Sequence, residues 1–515
     1  MFLLSKISNV KAMSMSKGCF VATVIICVII FFGLVLVPLA NADWSTYRSG
    51  PSRTGVGTGG PVLTPNILWK TNVSSPSVKV GTQTFEGERT FTTPVVLHGI
   101  IYACSTSSVR INESNYAEWL DVYAFNATNG AEIWDHKISD VMKTGVPAVS
   151  VPAVSGNMVY FGANNGQVYA LNARNGNLQW NTNVGNQGGD SSPVIVDGIL
   201  YIGGYNGVVY ALNAANGETI WKSTAGTNVG ASSPAVVNGV VYLGSNDNNF
   251  YALNAKTGDQ LWKYNTNGWV EPSAAVDNGV VYAPSNDDDI YALNATNGDL
   301  IWKFDTLPPD YVSQEQYGVV ALPFPVACDN GMVYVTSDLI IPRLDRGQTL
   351  AYALNATTGI LIWNFTVTAS SNYMSPPAVA DGIFYMNIYD GLLALDAENG
   401  AIIWNYTTTV NDPWSSDPIV DNGAIFVGSS DGQVYALGSA PPIYPPYNPA
   451  LPPFQAASTA ITIALSIFVI STITVIVLTR LRKSKPKVNL LTAKQELATN
   501  ERKIRRKNYV LNAQT

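Results

Sequence analysis

The sequence predicts an all-β chain: an eight-bladed β-propeller closed by N-terminal strand pairing, with a C-terminal transmembrane helix. Three observations predict it. Two short motifs recur together about every 41 residues, the two chain ends supply complementary parts of one repeat, and a 24-residue run without charge follows the last repeat.

The chain begins with Lys6, Lys11 and Lys17 ahead of an apolar run from Cys19 to Leu39, then the small-x-small triplet Ala40-Asn41-Ala42. Residues 1–42 therefore read as a secretory signal peptide, or as a signal anchor if uncleaved.

Residues 43–439 carry the repeats. The first motif, Tyr-Ala-Leu-Asn-Ala-x-x-Gly-x-x-x-Trp, places Trp eleven residues after Tyr at Trp134, Trp180, Trp221, Trp262, Trp302 and Trp363, and after Leu393 at Trp404. The second, Pro-Ala-Val-x-x-Gly-x-Val-Tyr, has eight copies with variants, from Pro94–Tyr102 to Pro418–Phe426. Period-2 alternation and turn residues at fixed offsets indicate strands. Each repeat reads as strand A (Pro-Ala-Val), an Asn/Asp-Gly turn, strand B, strand C (Tyr-Ala-Leu), and strand D with the Trp. Four strands in about 41 residues match the blade of a propeller. Trp69, in Ile67–Lys70, is a strand D without a strand C, and Tyr435, in Val434–Leu437, is a strand C without a strand D. Joined, they form the eighth blade and leave no open terminal repeat. The eight repeated Trp side chains are expected to fill the spaces between blades, each covering about 200 Å².

Only 13% of residues are charged, against about 25% in average soluble chains. The net charge of −7 is unevenly distributed: residues 480–515 hold 11 Lys/Arg and 2 Asp/Glu, and the body between the two apolar runs is at −19. An acidic body repels phosphates, which argues against nucleic acid as a partner. Residues 440–455 form a Pro-rich stalk with seven prolines in its first fourteen positions, a semi-rigid composition. Ala456–Thr479 is long enough to span a bilayer, and the basic tail 480–515 that follows places it in the cytoplasm, with the propeller outside the cell membrane.

The Ala-x-x-x-Gly-x-x-x-Trp repeats resemble pyrroloquinoline-quinone (PQQ)-like repeats. The segment Asp43-Trp44-Ser45-Thr46-Tyr47-Arg48-Ser49-Gly50-Pro51-Ser52-Arg53-Thr54-Gly55 is similar to the N-terminal stretch of many such propellers. This resemblance covers about residues 43–440. It implies a fold shared by quinoprotein alcohol dehydrogenases, a bacterial outer-membrane assembly lipoprotein and membrane-anchored proteins without assigned activity. In the dehydrogenases it implies an adjacent Cys-Cys pair, a calcium ion held by carboxylate and amide side chains, and a catalytic Asp. Here no two cysteines are adjacent, and no calcium-ligand set or catalytic Asp is matched residue by residue. No catalytic residue, cofactor or metal is therefore assigned; the alternative reading is a PQQ-dependent oxidoreductase with calcium.

The insertions point to one face. The B–C interval between Tyr residues is nine in regular blades but 21 from Tyr102 to Tyr123 and 18 from Tyr334 to Tyr352. The D–A interval is 13 from Trp180 to Pro193, but 25 from Trp69 to Pro94, 18 from Trp134 to Pro152 and 24 from Trp302 to Val326. Alternating strand directions put D–A and B–C connections on the same side of the disc. The inserted residues Arg89, Arg110, Glu113, Trp119, Tyr311, Glu315, Tyr317, Arg343, Asp345 and Arg346 mix charge with aromatics, as recognition surfaces do. They are the candidate binding face for an extracellular protein or polymer ligand. Asn246–Asn249 and Asn286–Asp289 read as turns, since Asn and Asp are ordinary there. His98 and His136 are isolated. Cys104 and Cys328 fall in separate repeats, which gives no reason to pair them. Sequons at Asn72, Asn112, Asn126, Asn294, Asn355, Asn364 and Asn405 are candidate glycosylation sites.

Overall fold

The structure is a computed structural model. It describes residues 47–444 apart from 58, 72, 74–76, 81–82, 87, 111–115, 139–147, 186–190, 313–318, 342–347, 369–374, 389–390 and 409–413, together with residue 499. The expected signal segment 1–42, most of the stalk 440–455, the span 456–479 and nearly all of the tail lie outside the described residues. No helix among the described residues is long and apolar enough to cross a membrane.

Eight antiparallel sheets of four or five strands make an eight-bladed propeller, with one further two-stranded hairpin, Ser77–Val80 with Gln83–Glu86. Blade 4 shows the regular form: strands A to D are Ala235–Val237, Val240–Gly244, Asn249–Asn254 and Gln260–Asn265. The Asn238-Gly239 turn between A and B has φ of +51° and +77°, the left-handed pair that a two-residue type I′ hairpin requires. Strand C is buried almost throughout, while strand D alternates because it is the outer edge. A bulge sits in every strand D. In blade 4 the register jumps between Ala252↔Trp262 and Leu253↔Gln260, which leaves Leu261 outside the ladder and 48% exposed.

The ring closes as the chain ends predict. Asn66–Lys70 pairs antiparallel with Val434–Gly438, in the register Ile67↔Leu437 and Lys70↔Tyr435. The amide of Thr71 donates to Val434 O at 2.9 Å, and Val434 N returns a bond to Thr71 Oγ1 at 2.8 Å.

The core lies between blades. One cluster joins Tyr242, Phe250 and Trp262 of blade 4 to Val276, Val281, Tyr291 and Leu293 of blade 5. The repeated Trp makes the joint. The indole N–H of Trp221 donates to Ala255 O of the next blade at 2.9 Å, and the Tyr201 hydroxyl donates to the same carbonyl at 3.0 Å. The ring lies over Gly258, where φ is +79° and a Cβ would stand 2.7 Å from the indole. The motif Ala-x-x-Gly is thus the socket for the preceding blade's Trp. The same bond recurs from Trp69, Trp134, Trp180, Trp262, Trp302 and Trp363. Trp404 completes the circle by donating to Val62 O at 2.7 Å, just ahead of the closing strand.

Replacing Trp262 by Ala should destabilise the protein by about 3–5 kcal/mol, the range for deleting a large buried aromatic. The same change at Trp269, which is 54% exposed, should cost less than about 1 kcal/mol. Denaturant midpoints of the two variants make the comparison.

Candidate functional site

An eight-bladed ring leaves an open axis whose inner strands A have unpaired edges. Unmet buried amides are costly, and the N-terminal segment meets them. Pro51 O, Ser52 O, Thr54 O and Gly55 O accept from Val236 N, Val276 N, Cys328 N and Val379 N, the strand A residues of blades 4 to 7, at 2.7–3.1 Å. Two arginines pin this plug. Arg53, 1% exposed, donates to the carbonyls of Pro234, Tyr47 and Ser192 at 2.9, 2.7 and 2.8 Å. Arg48 donates from its two terminal nitrogens to Pro377 O and Val326 O, both at 2.6 Å. Burial lowers the pKa of both guanidinium groups. The segment quoted above for its resemblance therefore curves around the inner edge of the ring, meeting blades 4 to 7 in turn.

Above the plug, on the D–A/B–C face, lies a cavity of about 530 Å³. Its wall is a ring with one residue from each blade, always the position before strand A's first motif residue: Thr93, Val151, Ser192, Ser233, Ser273, Pro325, Pro376 and Asp417. Members of the ring are bonded from blade to blade. Ser192 N donates to Ser233 Oγ at 2.9 Å, Ser233 N to Ser273 Oγ at 2.8 Å, and Asp417 N to Thr93 Oγ1 at 3.1 Å. Tyr47, Glu271, Asn286, Phe324 and Asp338 also line the cavity.

The electrostatics of this vestibule are acidic. Glu271 is held by two amides from neighbouring B–C turns, Asn246 Nδ2 and Asn286 Nδ2, each at 2.9 Å. Burial pushes the Asp338 carboxyl up from 3.8 to about 7. Burial likewise raises Asp417 to about 6, with Arg48 and a hydrogen bond from Thr93 opposing the rise.

Of the residues expected from sequence, Arg89, Trp119 and Tyr311 can be placed. Arg89 is 4% exposed. Its guanidinium pairs with Asp121 at 2.9 Å and donates to Ser105 Oγ and the Tyr123 hydroxyl, so its charge is turned into the wall of blade 1. It sits in an added strand, Glu88–Phe91, on an extension of strand B, Ile100–Arg110. Trp119 lies half-buried in the matching extension of strand C, Tyr116–Asn126. The long B–C interval of blade 1 is thus taken up largely by lengthened strands, whose extra backbone groups pair with one another. Blade 6 repeats the device with Val320–Pro323 against Met332–Ile340. Tyr311 is partly buried in the short helix Pro309–Val312. Arg110 belongs to a strand end whose side chain is not described. Glu113, Glu315, Tyr317, Arg343, Asp345 and Arg346 lie outside the described residues, as do the sequons Asn72 and Asn112. Asn126, Asn294 and Asn355 each accept a turn amide through Oδ1, while Asn364 and Asn405 are exposed on strands D. Asp247, Asp287 and Asp289 are committed to Tyr251, Tyr291 and Lys303. Cys104 and Cys328 are buried thiols in blades 1 and 6. The vestibule ring itself was legible only as a third repeat, Ser-Ser-Pro at 191–193 and 232–234 with Ser-Asp-Pro at 416–418.

Comparison with known proteins adds the relationship. A profile of the family described as outer membrane protein assembly factor BamB matches residues 205–322 and 346–440. The fold is similar to quinohemoprotein alcohol dehydrogenase from Comamonas testosteroni, with 16% identity over 81% of this chain and 84% of that one, and a TM-score of 0.62. It is also similar to BamB from Moraxella catarrhalis, with 18% identity, 72% and 97% coverage and a TM-score of 0.50. The chain is a β-propeller whose repeats are similar to PQQ-like repeats. A third similar structure is a europium-containing methanol dehydrogenase, with 13% identity, 79% and 100% coverage and a TM-score of 0.54. No curated protein sequence matches. At these identities the likeness carries the fold and not the activity.

The resemblance implies PQQ, a flat quinone with three carboxylates, and the lining of this propeller can be tested against it. Glu271, Asp338 and Asp417 would face those carboxylates, and among the described residues no Lys or Arg lines the cavity. The terminal nitrogens of Arg48 are already committed to carbonyls. Among the described residues, no three His, Cys, Asp or Glu side chains are grouped to hold a metal ion that would offset the charge. The described lining does not fit the cofactor, and no step is built on it.

The raised carboxyl of Asp338 has a measurable consequence. Between about pH 4 and 7 the folded protein keeps a proton that the unfolded chain has lost, so this group's contribution to stability falls as pH rises through that window. Asp338→Asn should raise the melting temperature at pH 8 and leave it unchanged near pH 4, as scanning calorimetry at both pH values would record.

Proposed function

We propose that this propeller is a membrane-anchored binding module that captures an extracellular partner or polymer through its D–A/B–C face, without catalysis. The observation that carries this reading is the vestibule: all eight blades converge on one cavity, and it opens on the face that receives every long insertion. Loops on a rigid scaffold are where binding residues concentrate, and cavities of about 300–1,000 Å³ are typical of ligand sites. The anchoring part of the reading rests on the sequence alone, on the charge-free run Ala456–Thr479 and the basic residues after it. Similarity to a BamB structure is in keeping with a binding role, and similarity to two alcohol-oxidising dehydrogenases supplies the rival.

The test is to incubate the detergent-solubilised full chain with PQQ and calcium, then record cofactor absorbance after gel filtration and dye-linked alcohol oxidation. Co-elution below one-tenth of a mole per mole and no turnover are expected. Stoichiometric uptake with turnover would establish the oxidoreductase reading instead.

A further inference from the structure

The vestibule offers two kinds of polar group. Glu271, Asp338 and Asp417 are acceptors, and among the described residues no Lys or Arg lines the cavity. Ser192, Ser233 and Ser273 are 2%, 3% and 4% exposed and line the same cavity. Ser233 and Ser273 already accept a neighbouring amide through Oγ, and among the described residues none of the three hydroxyl protons has an acceptor. Lining the cavity, these hydroxyls are placed to donate to a ligand oxygen. The remaining wall, including Phe324 and the ring prolines, is apolar. In the same D–A loop, two residues before Glu271, Trp269 is 54% exposed, whereas the repeated Trp side chains at blade joints are mostly below 10%.

We infer that the vestibule binds a hydroxylated organic amine, of which an amino sugar is the best-matched class. Its ammonium meets the carboxylates, its hydroxyl oxygens accept from the serines, and its C–H face lies on the apolar wall, with Trp269 as a platform for a further sugar unit. This deepens the binding-face reading and rests on it. A bare polyamine would make no use of the serine hydroxyls, and a neutral sugar would make no charged contact with Glu271 or Asp338. A charge-assisted hydrogen bond contributes about 1.5–3 kcal/mol, so removing the ammonium should weaken binding about tenfold or more.

Calorimetric titration of the solubilised full chain with glucosamine, N-acetylglucosamine, glucose and spermidine tests this. Saturable one-to-one binding of glucosamine is expected, at least about tenfold tighter than the two neutral sugars. The Ser233→Ala/Ser273→Ala pair should weaken glucosamine and leave spermidine unchanged. The Asp338→Asn/Asp417→Asn pair should bring glucosamine and glucose to one affinity. If the aspartate pair fails to melt cooperatively, the serine pair and the wild-type ranking decide. Equal affinity for the three sugars, tighter binding of spermidine than glucosamine, or no binding at all would overturn the inference. Any of these without PQQ uptake sinks only the ligand class, whereas stoichiometric PQQ uptake sinks the binding-module reading beneath it.

Discussion

Everything in this structure depends on one joint made repeatedly around a circle: an indole N–H from one blade donated to a backbone carbonyl of the next, with the indole face resting on a glycine. The joint sets both the spacing and the tilt of neighbouring sheets, because a hydrogen bond fixes one edge of the ring and close contact fixes its face. A single blade is an open four-stranded sheet with two apolar faces and cannot be stable alone. The joints are therefore mutually dependent, and the last one matters most. There the acceptor is Val62 O rather than a turn alanine, and Tyr385 accepts from Val62 N at 2.9 Å where the Tyr hydroxyls of several other blades donate. The N-terminal segment 62–70 thus does two things at once, completing blade 8 and receiving the Trp of blade 7.

The same N-terminal stretch determines what the axis can do. Its carbonyls accept from strand A amides of four blades, and its arginines are held by backbone carbonyls. The same plug bears on the cavity wall, since Arg48 opposes the rise that burial gives the Asp417 carboxyl. The cavity lies on the insertion face, with Glu271, Asp338 and Asp417 in its described lining.

Much of the fold was readable in the residues. The Tyr-to-Trp interval, the Gly four before each Trp, and the split halves at Ile67–Lys70 and Val434–Leu437 are periodic signals, and periodicity survives without coordinates. The site was far less readable. Arg89 looked like a recognition residue because it lay in an insertion, yet its partners Asp121 and Tyr123 are more than thirty positions away, a pairing that no local pattern announces. The vestibule residues were overlooked for the opposite reason. Ser192, Ser233 and Asp417 stand before a repeated proline and look like turn residues, and their convergence appears only when eight blades are wrapped around an axis. The role of Arg48 and Arg53 was hidden in the same way, since their acceptors come from blades 3, 4, 6 and 7.

The account stands or falls on the ring being shut by its two ends. Cysteines introduced at Ile67 and Leu437, which face each other across the closing pair, give the most direct reading. Cys104 and Cys328 are buried. Mild oxidation should link Ile67→Cys to Leu437→Cys within one chain, seen as a faster-migrating, reducible band, and should raise the unfolding midpoint. A doubly substituted chain that folds cooperatively but forms no intramolecular link would contradict closure.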